Sequence, residues 1–105
     1  MTLGHRIVLC TLAAASLMLS GCDRPADISR GAALAQETGC VACHGLNGRG
    51  TGPTFPNLNG QHAHYMFEQL VKYRSGERVN VIMYEQAQQL SRSDMDLLSR
   101  YYAAQ

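Results

Sequence analysis

The stretch "CVACHG", residues 40–45, decides how this chain is read. Two cysteines stand with two residues between them, and a histidine follows at once. Such a group can hold a metal ion, form a reversible disulfide, or fasten a haem to the chain. Each reading makes a different demand on the remaining sequence.

A structural zinc site takes four Cys or His ligands, commonly as two spaced pairs. No second C-x-x-C occurs, and His62 and His64 are two apart in helical sequence, so they do not face the same way. A thioredoxin-like pair belongs beside a βαβ unit. No alternating strand pattern flanks this motif. Haem attachment uses all three residues together. Each thiol adds to one porphyrin vinyl group, and His44 comes beneath the iron as proximal ligand. The motif thus predicts one haem c, covalent through Cys40 and Cys43.

The other two cysteines lie upstream. "MTLGHR" is a short basic start, "IVLCTLAAASLML" an uncharged apolar run, and "SGC" a small-residue close, the order of a secretory signal. The run falls just short of the roughly 20 apolar residues of a membrane span. Cys10 is apolar filler within it. "LSGC", residues 19–22, resembles a bacterial lipobox, which implies lipidation of Cys22 after removal of residues 1–21. Asp23 resembles the signal that keeps enterobacterial lipoproteins in the inner membrane. The expected organisation is a signal peptide over 1–21, a lipid-anchored linker over 22–27 and one domain over 28–105. Its expected place is the periplasmic side of the cytoplasmic membrane, held there by more than one acyl chain.

Removal of the signal leaves 84 residues, with eight basic and eight acidic side chains. Nothing in that balance points to nucleic acid, and no small-molecule substrate is expected. A domain this small buries little of its surface and benefits from a staple. A covalently held porphyrin is such a staple, a large apolar body around which short helices pack.

The helical segments follow from spacing. "DISRGAALAQETGC" reads as a helix capped by Asp27 or Ser29, with Leu34 on its apolar side and Gly39 at its end. "LNGRGTGPTFPNLNG" is a loop by its Gly, Asn and Pro content. "QHAHYMFEQLVKYRSG" places Tyr65, Met66, Leu70 and Tyr73 at helical spacing, with Gly76 beyond the end. "SRSDMDLLSRYYAAQ" opens on a Ser/Asp cap and puts Leu97, Leu98, Tyr101 and Tyr102 on neighbouring faces. "GERVNVIMYEQAQQL" has weak periodicity and reads as a functional loop. The expected fold is all-α with long loops.

From about Gly31 to Tyr102 the chain resembles a class I cytochrome c, nearest the c4 and c553-like group. "CVACHG", "PTFPNLNGQHAHY", "QLVKYRSGERVN" and "DMDLLSRYYA" carry the resemblance. It implies about four short helices around one haem, with first and last crossing where Gly31 meets Tyr101. It also implies that the Pro56 carbonyl orients His44, and that Leu58 packs on the haem.

An electron carrier fills both axial positions, and Met/His ligation raises the potential. Met66 and Met95 sit in helical apolar patterns, where methionine is commonly core filler. Met83 lies in the weakly periodic stretch, and the resemblance places the axial methionine at this distance before "LS". Met66, His62, His64 and an open position are the alternatives. Val81, Ile82 and Tyr84 are expected to form an apolar lid. Where related sequences often carry proline between Asn80 and the methionine, this one has Val81 and Ile82, which leaves a loop less preordered. Arg74 or Arg78 is expected at a haem propionate.

The expected function is one-electron transfer with redox protein partners, membrane respiratory complexes or periplasmic dehydrogenases and reductases. Alternatives are a ligand-binding or peroxidase-like haem domain with an open or labile sixth position, an electron-transfer subunit of a larger respiratory complex, and a haem-free lipoprotein using its C-x-x-C.

Overall fold

The computed structural model describes residues 23–105, so the expected signal peptide over 1–21 and the expected lipid site, Cys22, lie outside the described residues. The described residues form five helices and no strands: α1 (Pro25–Glu37), α2 (Cys40–His44), α3 (Ala63–Ser75), α4 (Val81–Gln88) and α5 (Arg92–Ala103). The sequence led us to expect about four.

α1 starts earlier than its sequence suggests. Pro25 occupies the first turn after Arg24, so the helix takes in part of the stretch read as linker. Proline fits there because its missing N–H would have had no helical partner. Neither Asp27 nor Ser29 is the cap. Asp27 is instead buried in the first turn, 3.1 Å from Arg24 Nε and 3.9 Å from an Arg100 guanidinium nitrogen. It lies on one face with Gly31 and Ala35, four residues apart each, and this face packs on α5.

That crossing depends on Gly31. A β-carbon there would come within 2.6 Å of Tyr101 Cβ and 2.8 Å of the Leu97 carbonyl oxygen. Only hydrogen fits between the two helices.

α5 starts with a full capping box. The Ser91 hydroxyl accepts from the Asp94 amide at 3.0 Å, and the Asp94 carboxylate accepts from the Ser91 amide at 2.8 Å. Hydrogen bonding from Ser91, its amide first, holds the Asp94 carboxyl below its ordinary pKa. Met95, Leu98, Tyr101 and Tyr102 then recur at helical spacing and are all buried. With Ala35, Met66, Ala87 and Leu90 they form the core. α3 joins this core to α4, packing on both α5 and α4.

The stretch read as a functional loop contains α4. Its weak periodicity misled because little of it is buried: Ala87 is the one buried residue of this helix.

Candidate functional site

The motif folds as a single helical turn. Gly39 leaves α1 at φ +81°, a conformation glycine takes freely, and α2 begins at once with Cys40. Gly45 ends the turn at φ +75°, where a β-carbon would run into the Arg49 carbonyl. The open carbonyls of α2 are answered by Thr51. Its hydroxyl donates to Ala42 O at 3.0 Å and Cys43 O at 3.2 Å, and its amide to Cys43 O at 2.9 Å. From the other side, Tyr102 Oη donates to Gly45 O at 3.2 Å, and Tyr101 Oη donates to Leu46 O. α5 therefore grips the chain immediately after "CVACH". Burial pushes the ionisation of both tyrosines up, so they stay as donors.

Both thiols are free and half-buried. Burial raises the Cys40 pKa, against a smaller lowering by the Thr38 hydroxyl 3.3 Å from its sulfur. A reactive redox cysteine has the opposite shift. His44 is 8% exposed, and its Nδ1 lies 2.9 Å from Pro56 O. A carbonyl only accepts, so Nδ1 carries the proton and Nε2 keeps its lone pair. Among the described residues no group of three or more His, Cys, Asp or Glu gathers to hold a metal ion.

Cys40, Cys43 and His44 line a cavity of about 460 Å³. Pro56, Leu58, Leu70 and Leu98 are also on its wall, and so are Met66, Met83, Asn80 and Ile82. Of the two methionines, Met66 is 7% exposed and belongs to the core cluster. Met83 stands apart from that cluster, in the first turn of α4. His62 and His64 do not line the cavity; His64 pairs instead with Glu68 at 3.2 Å.

Two expectations change at the rim. Arg74 does not line the cavity but donates to Leu90 O at 2.9 Å, tying α3 to the end of α4. Arg78 is the guanidinium on the wall, stacked 4.7 Å over the Tyr73 ring and donating to Gln69 Oε1 at 2.9 Å. The lid is also thinner than expected. Val81 is 75% and Tyr84 47% exposed, neither on the wall, and only Ile82 turns one flank to it.

Asn80 and Tyr102 were missed as site residues. Asn80 had a readable signal, an N-cap residue ahead of an apolar run. Tyr102 had none beyond its helical phase, since a hydrogen bond spanning 57 positions leaves no local trace.

The wall fits a haem c. It offers two unpaired thiols at the right spacing, an imidazole with its lone pair on Nε2, apolar side chains and one guanidinium for a carboxylate. The cavity is within the usual size of a cofactor site.

Comparison with known proteins agrees. The cytochrome c family model matches residues 28–101. Cytochrome c-554(548) of Halomonas halodenitrificans is 42% identical over 69 residues, which is 63% of this chain and 83% of that protein. Cytochrome c4 of Azotobacter vinelandii is 42% identical over 67 residues, 59% of this chain and 32% of that one. The solved cytochrome c4 of Acidithiobacillus ferrooxidans superposes with a TM-score of 0.70 at 31% identity, covering 82% of this chain and 53% of that chain. The chain thus spans most of the first protein, about a third of the second and about half of the third. It belongs to the cytochrome c family, with haem c attached through Cys40 and Cys43.

Proposed function

We propose that the protein is a one-electron carrier with His44 and Met83 as axial ligands, held at the periplasmic face of the cytoplasmic membrane by lipid on Cys22. The observation that carries the reading is the His44–Pro56 hydrogen bond on a wall shared by Cys40, Cys43 and Met83. Bound haem supplies a centre that alternates between ferric and ferrous iron. The protein's residues set the conditions for it. The Pro56 carbonyl fixes the tautomer and plane of His44. Leu58, Leu70, Leu98 and Ile82 keep water from the cavity, and Arg78 stands ready for a carboxylate.

The anchoring reading gains from the early start of α1. Cys22 precedes Pro25 by three positions, a reach of at most roughly 10 Å. Among the described residues no helix is long and apolar enough to cross a membrane, so in this reading the lipid is what holds the domain there. A domain on so short a tether meets membrane respiratory complexes directly, and periplasmic dehydrogenases or reductases come to it. With eight basic and eight acidic side chains left after removal of residues 1–21, overall steering of partners is weak.

The test is the visible spectrum of oxidised and reduced protein, exported in a host able to attach haem c, beside a Met83→Ala variant. The expected result is a six-coordinate c-type spectrum whose far-red methionine-to-ferric-iron band disappears in the variant. Attached haem with a spectrum indifferent to Met83 would sink the reading and turn attention to an open sixth position.

A further inference from the structure

The geometry points to Asn80 as the residue that positions Met83 for ligation; this rests on the reading of Met83 as sixth ligand. Burial does little to hold the first turn of α4. Val79 is 88% exposed, Val81 75%, Ile82 57% and Tyr84 47%. What orders that turn is Asn80, which is extended at φ −161° and ψ 120° and caps the helix. Its side-chain oxygen accepts from the Met83 amide at 2.9 Å, and its backbone oxygen accepts from the Tyr84 amide at 2.8 Å. One residue therefore takes the N–H groups on both sides of the Met83 α-carbon.

The chain two residues before Asn80 is fastened to α3. The Arg78 amide donates to Lys72 O at 3.1 Å, while its guanidinium stacks on Tyr73 and bonds Gln69. At the far end, Gln88 Nε2 donates to Arg74 O at 2.8 Å, and Ala87 and Leu90 are buried. The two ends of this arm are fastened to α3. Between them, the Asn80 side chain is the one polar side-chain tie to the first turn of α4 among the described residues. It supplies through a hydrogen bond the order that a proline before the methionine would supply through a fixed φ. Asn80 is thus a positioning residue acting through Met83, and its effect falls on how tightly the sulfur holds the sixth position.

The experiment uses the ferric holoprotein, unsubstituted and as Asn80→Ala, Asn80→Ser and Met83→Ala. Imidazole, which competes for the sixth position, is titrated in while the far-red band is followed. Denaturant unfolding of each variant runs alongside. Loss of a cap is worth about 1 kcal/mol, so the half-loss imidazole concentration should fall about fivefold in Asn80→Ala. Serine, also a good cap, should restore it to within about twofold. An unchanged imidazole midpoint in Asn80→Ala, with or without lower global stability, would overturn the inference, as would a serine variant no better than alanine. A band that survives Met83→Ala removes the ligand reading itself, and the inference with it.

Discussion

The turn that carries Cys40, Cys43 and His44 is held from three directions, whereas the arm that carries Met83 is held mainly at its two ends. On the first wall, Thr51 closes the α2 carbonyls, Pro56 fixes the imidazole, and Tyr101 and Tyr102 reach across from α5. On the second, the residues beside Met83 stand in solvent, and one amide side chain orders the turn. The difference suits the two tasks. Two thioethers and a histidine need geometry that never relaxes. A methionine ligand needs only enough order to hold the sixth position. The contrast also says where stability resides: in the α1–α5 crossing and its contacts with the motif, with α4 as the element that opens first.

The first way to break this contrast is to remove what both walls enclose. A small helical domain, described over residues 23–105, with a cavity of about 460 Å³ inside it has too little apolar contact to fold alone. Cys40→Ala with Cys43→Ala should therefore leave a chain without cooperative unfolding, read by far-ultraviolet circular dichroism during a thermal melt. A well-folded, cooperative haem-free variant would show that the α1–α5 crossing suffices without its cofactor.

A milder cut addresses the rigid wall alone. Tyr102→Phe keeps the ring and its packing, which is 3% exposed, but takes the donor from Gly45 O. Leaving this part-buried carbonyl without its donor costs about 1–3 kcal/mol. Denaturant titration of the holoprotein should show a loss in that range, with the far-red band intact. If the band weakened while global stability held, the tyrosine would be serving the methionine wall and the division drawn above would be misplaced.

How much of this was legible beforehand varied with the range of the interaction. The motif, the Ser/Asp cap ahead of the last helix, and the helical phase of Leu98, Tyr101 and Tyr102 are local patterns, and the structure bears them out, although Leu97, read with them, is only half-buried. Gly31 against Tyr101 came through resemblance, since nothing in either segment alone announces a partner seventy positions away. What escaped reading was whatever depended on solvent or on a distant partner. α4 has no apolar stripe because it is scarcely buried, so it passed for a loop. Arg74 and Arg78 stood as alternatives for a propionate; α3 ends between them and sends one to Leu90 O and the other to the cavity wall. Asp27 looked like a cap because Asp commonly is one, yet Pro25 had already started the helix and the arginines drew the carboxylate inward.

The smallest expected effect lies on the methionine arm. Val81→Ser changes a side chain that is 75% exposed, at the first position of α4, without touching the Asn80 cap. Surface changes away from special features fall within about 0.5 kcal/mol. A buried counterpart on the other wall, Leu98→Ala, should cost about 2–5 kcal/mol. Holoprotein unfolding midpoints for the pair, measured at two protein concentrations, test whether the arm is as lightly packed as its exposure indicates. A loss above about 1 kcal/mol in Val81→Ser that deepened with concentration would mean that a second copy covers the arm in solution. The apparent looseness would then belong to the isolated chain, and the two walls would be more alike than they look.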